Sequence, residues 1–187
     1  MEEDLKNALR VLKNGGVILY PTDTVWGLGC DATNEDAVER IFRIKQREDS
    51  KSMLVLTDNE VKIERLVEKM PDVAWDLIRL SETPLTIIYP EAKNLAKNLI
   101  AQDGSVGIRV TKEDFSSKLC ERFRLPVVST SANISGQPSP QNFEEISDEI
   151  KSAVDYIVSY RQADTAKAKP SSIIKLETNG VVTIIRK

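Results

Sequence analysis

Apolar residues along this chain follow two spacings. Leu5, Ala8, Leu9 and Leu12 recur every three or four positions, as on one face of a helix, and Gly15-Gly16 stops that helix. Ala37, Val38, Ile41, Phe42 and Ile44 repeat the pattern up to Lys45, behind Asn34 as an N-cap, with Glu35 and Asp36 in the first turn. Further helices are expected from Asp58 to Val67, from Pro71 to Leu80, over 115–123 behind a Thr111-x-x-Asp114 capping box, and over 143–150. Short apolar runs bounded by Pro or Gly read as strands over 17–20, 53–56, 85–89, 106–110, 127–128, 156–158, 173–176 and 181–185. Residues 21–32 and 135–140 read as loops, and Thr178-Asn179-Gly180 as a hairpin turn.

Helices and strands alternate from end to end, which predicts one α/β domain over 1–187 with a mixed parallel and antiparallel sheet and flanking helices. The terminal hairpin predicts an antiparallel edge. The polar stretch 162–169 is a loop, too short for a domain linker.

Composition narrows the chemistry. Hydrophobic residues make up 41% and charged residues 29% of 187 residues, a globular balance. No apolar run approaches the roughly 20 residues of a membrane span, and the acidic start is unlike a secretory signal, so the expected setting is the cytoplasm with no membrane partner. Two cysteines make no disulfide framework or cysteine-rich zinc site, and the absence of histidine removes Ser–His and Cys–His nucleophile pairs. Catalysis then rests on charge and positioning, or on Asp, Glu, Lys or Tyr. A net charge of −3 is unlike a globally basic nucleic-acid binder, but leaves a local basic cleft open.

Five segments carry candidate chemistry, each beside a structural alternative. Pro21-Thr22-Asp23-Thr24-Val25-Trp26-Gly27-Leu28-Gly29 follows a strand, where α/β sheets place ligands; it equally suits a turn tied by Asp and Thr side chains. Within it, residues 27–32 match the G-x-G-x-x-A dinucleotide fingerprint, but too far beyond the strand for its phosphate mechanics. Lys45, Arg47 and Lys51 can clamp a triphosphate, or compensate a helix dipole. Arg109, in the apolar strand after Gly104-Ser105, needs an anionic partner: a ligand carboxylate or a protein Asp or Glu. Ser129-Thr130-Ser131-Ala132-Asn133 with Ser139 makes a polar wall or a Ser-rich turn. Pro170-Ser171-Ser172 and Arg186 are uninformative alone.

Together, in order and spacing, these segments resemble the YrdC-like family of threonylcarbamoyl-AMP synthases, in its short single-domain form, from about Gly15 to Arg186. The resemblance implies a twisted mixed sheet with a concave basic cleft, and formation of threonylcarbamoyl-AMP and pyrophosphate from L-threonine, bicarbonate and ATP, with Mg²⁺ accompanying ATP and no resident metal. By position, Thr24, Arg109, Ser129 and Ser171 would hold L-threonine. Arg47, Lys51, Ser105, Ser131, Asn133, Ser139 and Arg186 would form the ATP side, with Lys45 and Arg47 as the catalytic cations. The product would pass to tRNA threonylcarbamoyl-transfer machinery for t6A modification. The alternatives are a paralogue of the fold that binds tRNA or double-stranded RNA, one associated with ribosomes, or one that uses another substrate. Two histidines found in family members, one after the strand arginine and one near Leu56, are absent here.

Overall fold

The computed structural model describes residues 1–46, 53–165 and 170–187. The first helix, α1 (Glu2–Lys13), buries Leu5, Ala8 and Leu12, the stripe its spacing predicts. In α2 (Glu35–Ile44), Asn34 is the cap as expected, its side-chain oxygen accepting from the Ala37 amide. The remaining helices are α3 (Asp72–Leu80), α4 (Asp114–Phe123) and α5 (Asp148–Ala153). The strands are β1 (Ile18–Tyr20), β2 (Gly27–Gly29), β3 (Leu54–Thr57), β4 (Leu85–Tyr89), β5 (Val106–Val110), β6 (Val127–Ser131), β7 (Tyr156–Ile157), β8 (Ser172–Leu176) and β9 (Val182–Arg186).

These strands form one sheet in the order β7-β1-β2-β6-β3-β5-β4-β8-β9. The pairs β1–β7, β3–β5 and β4–β8 are parallel and the others antiparallel, so the sheet is mixed, and the β8–β9 hairpin forms an antiparallel edge. Register aligns Ile87, Ile108, Val55 and Val128 across four neighbouring strands, all at most 1% exposed. The next row, Ile88, Gly107, Leu54 and Ser129, projects from the opposite face, since side chains alternate along a strand.

Four local expectations are corrected. Residues 27–29 are a strand, not loop: β2 fits between β1 and β6 because its glycines carry no side chains. A Cβ on Gly29 would lie 2.6 Å from the Tyr20 ring. The dinucleotide fingerprint is therefore sheet, with no phosphate-facing turn. Residues 60–65 form a 3₁₀ helix capped by Asn59 rather than an α-helix from Asp58, whose carboxylate pairs with Lys62. The cap of α4 is Glu113, which accepts from the Ser116 amide at 2.7 Å, while the Thr111 hydroxyl meets that of Ser116 at 2.8 Å. Finally, the helix expected over 143–150 begins only at Asp148, behind Ser147, because Phe143 packs on Trp26 with ring centroids 4.9 Å apart.

Candidate functional site

One sheet face carries a hollow of about 540 Å³. Its floor is the Ile88–Gly107–Leu54–Ser129 row, with Thr86 and Arg109 one pleat further on. Its walls are Thr24 and Val25 on one side, Ser131, Pro138, Ser139 and Gln141 on another, and Pro170, Ser171 and Arg186 on the third. Segments 130 or more residues apart in sequence meet here. The structure thus brings together Thr24, Arg109, Ser129, Ser131, Ser139, Ser171 and Arg186.

Arg109 is 3% exposed, and burial depresses its pKa, opposed by the charge of Asp23. Its Nη2 lies 3.0 Å from Asp23 Oδ1, a charge pairing without hydrogen-bond alignment, and donates to Thr24 Oγ1 at 3.3 Å. Nη1 donates to Thr86 Oγ1 at 3.5 Å, and Nε, buried from solvent, has no hydrogen-bond partner among the described residues. The protein carboxylate of the structural alternative therefore exists. Asp23 is itself raised in pKa, chiefly by burial and against the pull of Arg109. The loop holding it is pinned by Thr22, whose hydroxyl donates to Val25 O at 2.7 Å and accepts from the Thr24 amide.

Across the hollow, Arg186 donates through Nε and Nη2 to the Ser171 carbonyl at 2.9 and 2.8 Å, and more distantly to Ser171 Oγ at 3.4 Å. The hydroxyls of Ser171 and Thr86 are 2.9 Å apart. Two arginines thus bracket two hydroxyls in one polar line along the floor.

Three predicted residues sit elsewhere. Ser105 does not line the hollow; its hydroxyl donates to Asp103 Oδ1 at 2.5 Å. Lys45 is 2% exposed and lies behind the wall, its ammonium donating to the carbonyls of Ser131 and Asn133 at 2.5 and 2.7 Å. There it fixes the turn that leaves β6. Asn133 donates to the Ile134 and Gln137 carbonyls, shaping the loop that carries Ser139 to the rim. Arg47 and Lys51 lie outside the described residues, so the lining cations described are Arg109 and Arg186. Thr86, Gly107 and Gln141 line the hollow without having been singled out from sequence. The only signal for Thr86 was one hydroxyl inside the apolar run 85–89.

A second cavity, about 270 Å³, lies on the opposite face, walled by Ile63, Ile78, Ile87 and Ile108, with Asp23 and Glu113 at its edge. Its body is apolar, and among the described residues no arginine lines it, though Lys112 does. Among the described residues no helix is long and apolar enough to cross a membrane.

A family model labelled Sua5_yciO_yrdC and described as telomere recombination matches residues 10–187. The chain belongs to this Sua5–YciO–YrdC family. Among its relatives, a protein named threonylcarbamoyl-AMP synthase from Pseudoalteromonas translucida is 38% identical over 154 residues, 81% of this chain and 82% of its own. The crystal structure of E. coli YciO superposes with a TM-score of 0.86 at 26% identity, covering 100% of this chain and 90% of YciO. P. abyssi Sua5, solved in complex with L-threonine, superposes at 0.84 with 27% identity over 97% of this chain. The chain spans about half of that Sua5, 54% of its length. The family relation and the mixed sheet agree with what the motifs implied.

Proposed function

We propose that this family member is an L-threonylcarbamoyladenylate synthase, a nucleotidyltransferase that joins L-threonine, bicarbonate and ATP and releases pyrophosphate. The observation that carries the reading is Arg109: a buried guanidinium lining a hollow of about 540 Å³, with the hydroxyls of Thr24 and Thr86 beside it. Such a group suits the α-carboxylate of a small amino acid. The relatives' shared name and the L-threonine bound in Sua5 supply the substrate.

Threonine amine and bicarbonate would give a carbamate and water. A carbamate oxygen would then form a bond to the α-phosphorus of ATP as the bond to the pyrophosphate oxygen breaks. That step needs alignment and neutralised charge rather than a strong side-chain base, which suits a chain without histidine. Arg109 would hold the amino acid by its carboxylate. Ser131, Ser139 and Arg186 stand along the rest of the hollow for the nucleotide, joined in this reading by Arg47 and Lys51. Lys45 would act one layer behind, holding the turn after β6. Magnesium would arrive on the ATP phosphates. The adenylate would be consumed by a transferase acting on tRNA.

The test is incubation with ATP, Mg²⁺, bicarbonate and each of several amino acids, with pyrophosphate and adenylate products measured by mass spectrometry. Threonine-dependent pyrophosphate and a threonylcarbamoyl-adenylate mass are expected. Salt-sensitive RNA binding without ATP consumption would favour the RNA-binding paralogue instead.

A further inference from the structure

The cavity on the face opposite the hollow has no part in the chemistry proposed above. Strands β4 and β5 supply its sheet side through Leu85, Ile87, Ile108 and Val110, and the 3₁₀ helix and α3 supply Ile63 and Ile78. Apolar cavities of about 150 Å³ already admit a benzene-sized molecule. One of about 270 Å³ has room for a ring with a short chain. The polar part of its wall is unequal in charge. Among the described residues Asp23, Glu82 and Glu113 line it, against Lys112. Lys112 is exposed and donates to the Ser81 carbonyl at 2.9 Å. The side chains of Asp23 and Glu113 are 11% and 8% exposed. Their cations, Arg109 and Arg161, lie 3.0 and 3.4 Å away but are not part of this wall. One oxygen of each carboxylate, Asp23 Oδ1 and Glu113 Oε1, has no aligned donor among the described residues, so both groups are short of hydrogen bonds. Burial, opposed by Arg109 and joined by the charge of Glu113, raises the pKa of Asp23.

We infer that this cavity is a second binding site, for a small amphiphile with an apolar body and an ammonium head. The body lies among the isoleucines, and the head faces Asp23 and Glu113. An apolar group gains by leaving water for such walls. A carboxylate short of donors gains from a charge-assisted hydrogen bond. A ligand with a carboxylate head would meet like charge and be refused. The site stands whether or not the hollow takes an amino acid. The two can be watched separately, because isoleucines line both: Ile63, Ile78, Ile87 and Ile108 here, Ile88 and Ile173 in the hollow.

The test titrates the whole chain, labelled at its isoleucine δ1-methyls, with 2-phenylethylamine, 2-phenylethanol and 3-phenylpropionate, followed by NMR. The three probes share one apolar body and differ in the head. The amine is expected to shift Ile63, Ile78, Ile87 and Ile108, to leave Ile88 and Ile173 in place, and to saturate with a Kd of about 10 mM or tighter. It should bind about tenfold more tightly than the carboxylate and about fivefold more tightly than the alcohol. Glu113→Gln keeps an oxygen that can accept from the Ser116 amide, and so keeps the cap of α4. It should weaken the amine about fivefold and leave the alcohol within about twofold. Ile78→Trp, on the half-buried side of α3, should fill the cavity and abolish the amine's shifts, with Ile88 and Ile173 still at their wild-type positions. Shifts at Ile88 and Ile173 in place of the other four, or none by about 50 mM, overturn the site. A carboxylate or alcohol that binds as tightly as the amine, or an amine affinity unchanged in Glu113→Gln, overturns the choice of an ammonium.

Discussion

Two adjacent rows of the same four strands do opposite work. Ile87, Ile108, Val55 and Val128 are closed off from solvent, while one residue along, Ile88, Gly107, Leu54 and Ser129 floor a hollow of about 540 Å³. The strand period of two lets each strand supply core from one face and site from the other. A site residue therefore borrows its rigidity from the core residue beside it. Strand β5 shows this over three positions: Gly107 opens the floor, Ile108 fills the core, and Arg109 carries the charge. Substitutions at these three positions should give three different signatures.

The largest effect is expected at Arg109. Arg109→Ala should abolish measurable L-threonine binding, at least about a hundredfold loss for a buried charge-assisted contact. It also leaves Asp23 buried without its cation, which should cost about 3 kcal/mol near pH 8. The pH sign follows from the raised pKa of Asp23. A carboxyl that is raised on folding stabilises the fold most below its unfolded pKa, and that contribution is lost as pH rises through the folded value. Without Arg109 to pull it down, Asp23 rises further, so the deficit should shrink toward about pH 4 and widen toward pH 8. A denaturation series across that range checks it; a deficit that grew on acidification would contradict the pairing. Next comes Ile108→Ala, which should cost about 2–4 kcal/mol of unfolding free energy, while the KM for L-threonine of the folded fraction stays within about twofold. A KM shift as large as that of a hollow-facing substitution would mean the two rows are not separable.

Much of this architecture was legible because it is written in periodic apolar positions. The stripes of α1 and α2, the runs of β4 and β5 and the terminal hairpin all rest on many residues at once. What was hidden depends on one residue or on distant partners. Gly27-Leu28-Gly29 has too little side chain to signal a strand, and it becomes one only because β1 and β6 stand on either side. Thr86 reads as an ordinary strand former, threonine being common in sheets, until Ser171 arrives from 85 residues away. Ser105 was singled out by residue type and motif, and the sequence alone did not show that Asp103 two residues earlier accepts from its hydroxyl. Arg109 needed an anion by sequence alone, and only the fold could name Asp23.

The smallest effect sharpens the contrast most. A Cβ on Gly107 would lie 3.5 Å from Thr86 Cγ2, 3.6 Å from Leu54 Cβ and 4.0 Å from Ile88 Cγ1, all ordinary contacts. Gly107→Ala should therefore fold without strain and gain up to about 0.5 kcal/mol by restricting the unfolded chain. Yet the methyl stands in the hollow, between Thr86 and Leu54 on its floor. Substrate seated there must move or lose contact, so KM should rise a few-fold, roughly 1 kcal/mol or less, while the melting temperature holds or climbs. Stability and affinity then move in opposite directions at 107 and only stability moves at 108, one residue away. If Gly107→Ala leaves the KM for both L-threonine and ATP unchanged, ligand does not lie on this floor, and the hollow is not where the chemistry occurs.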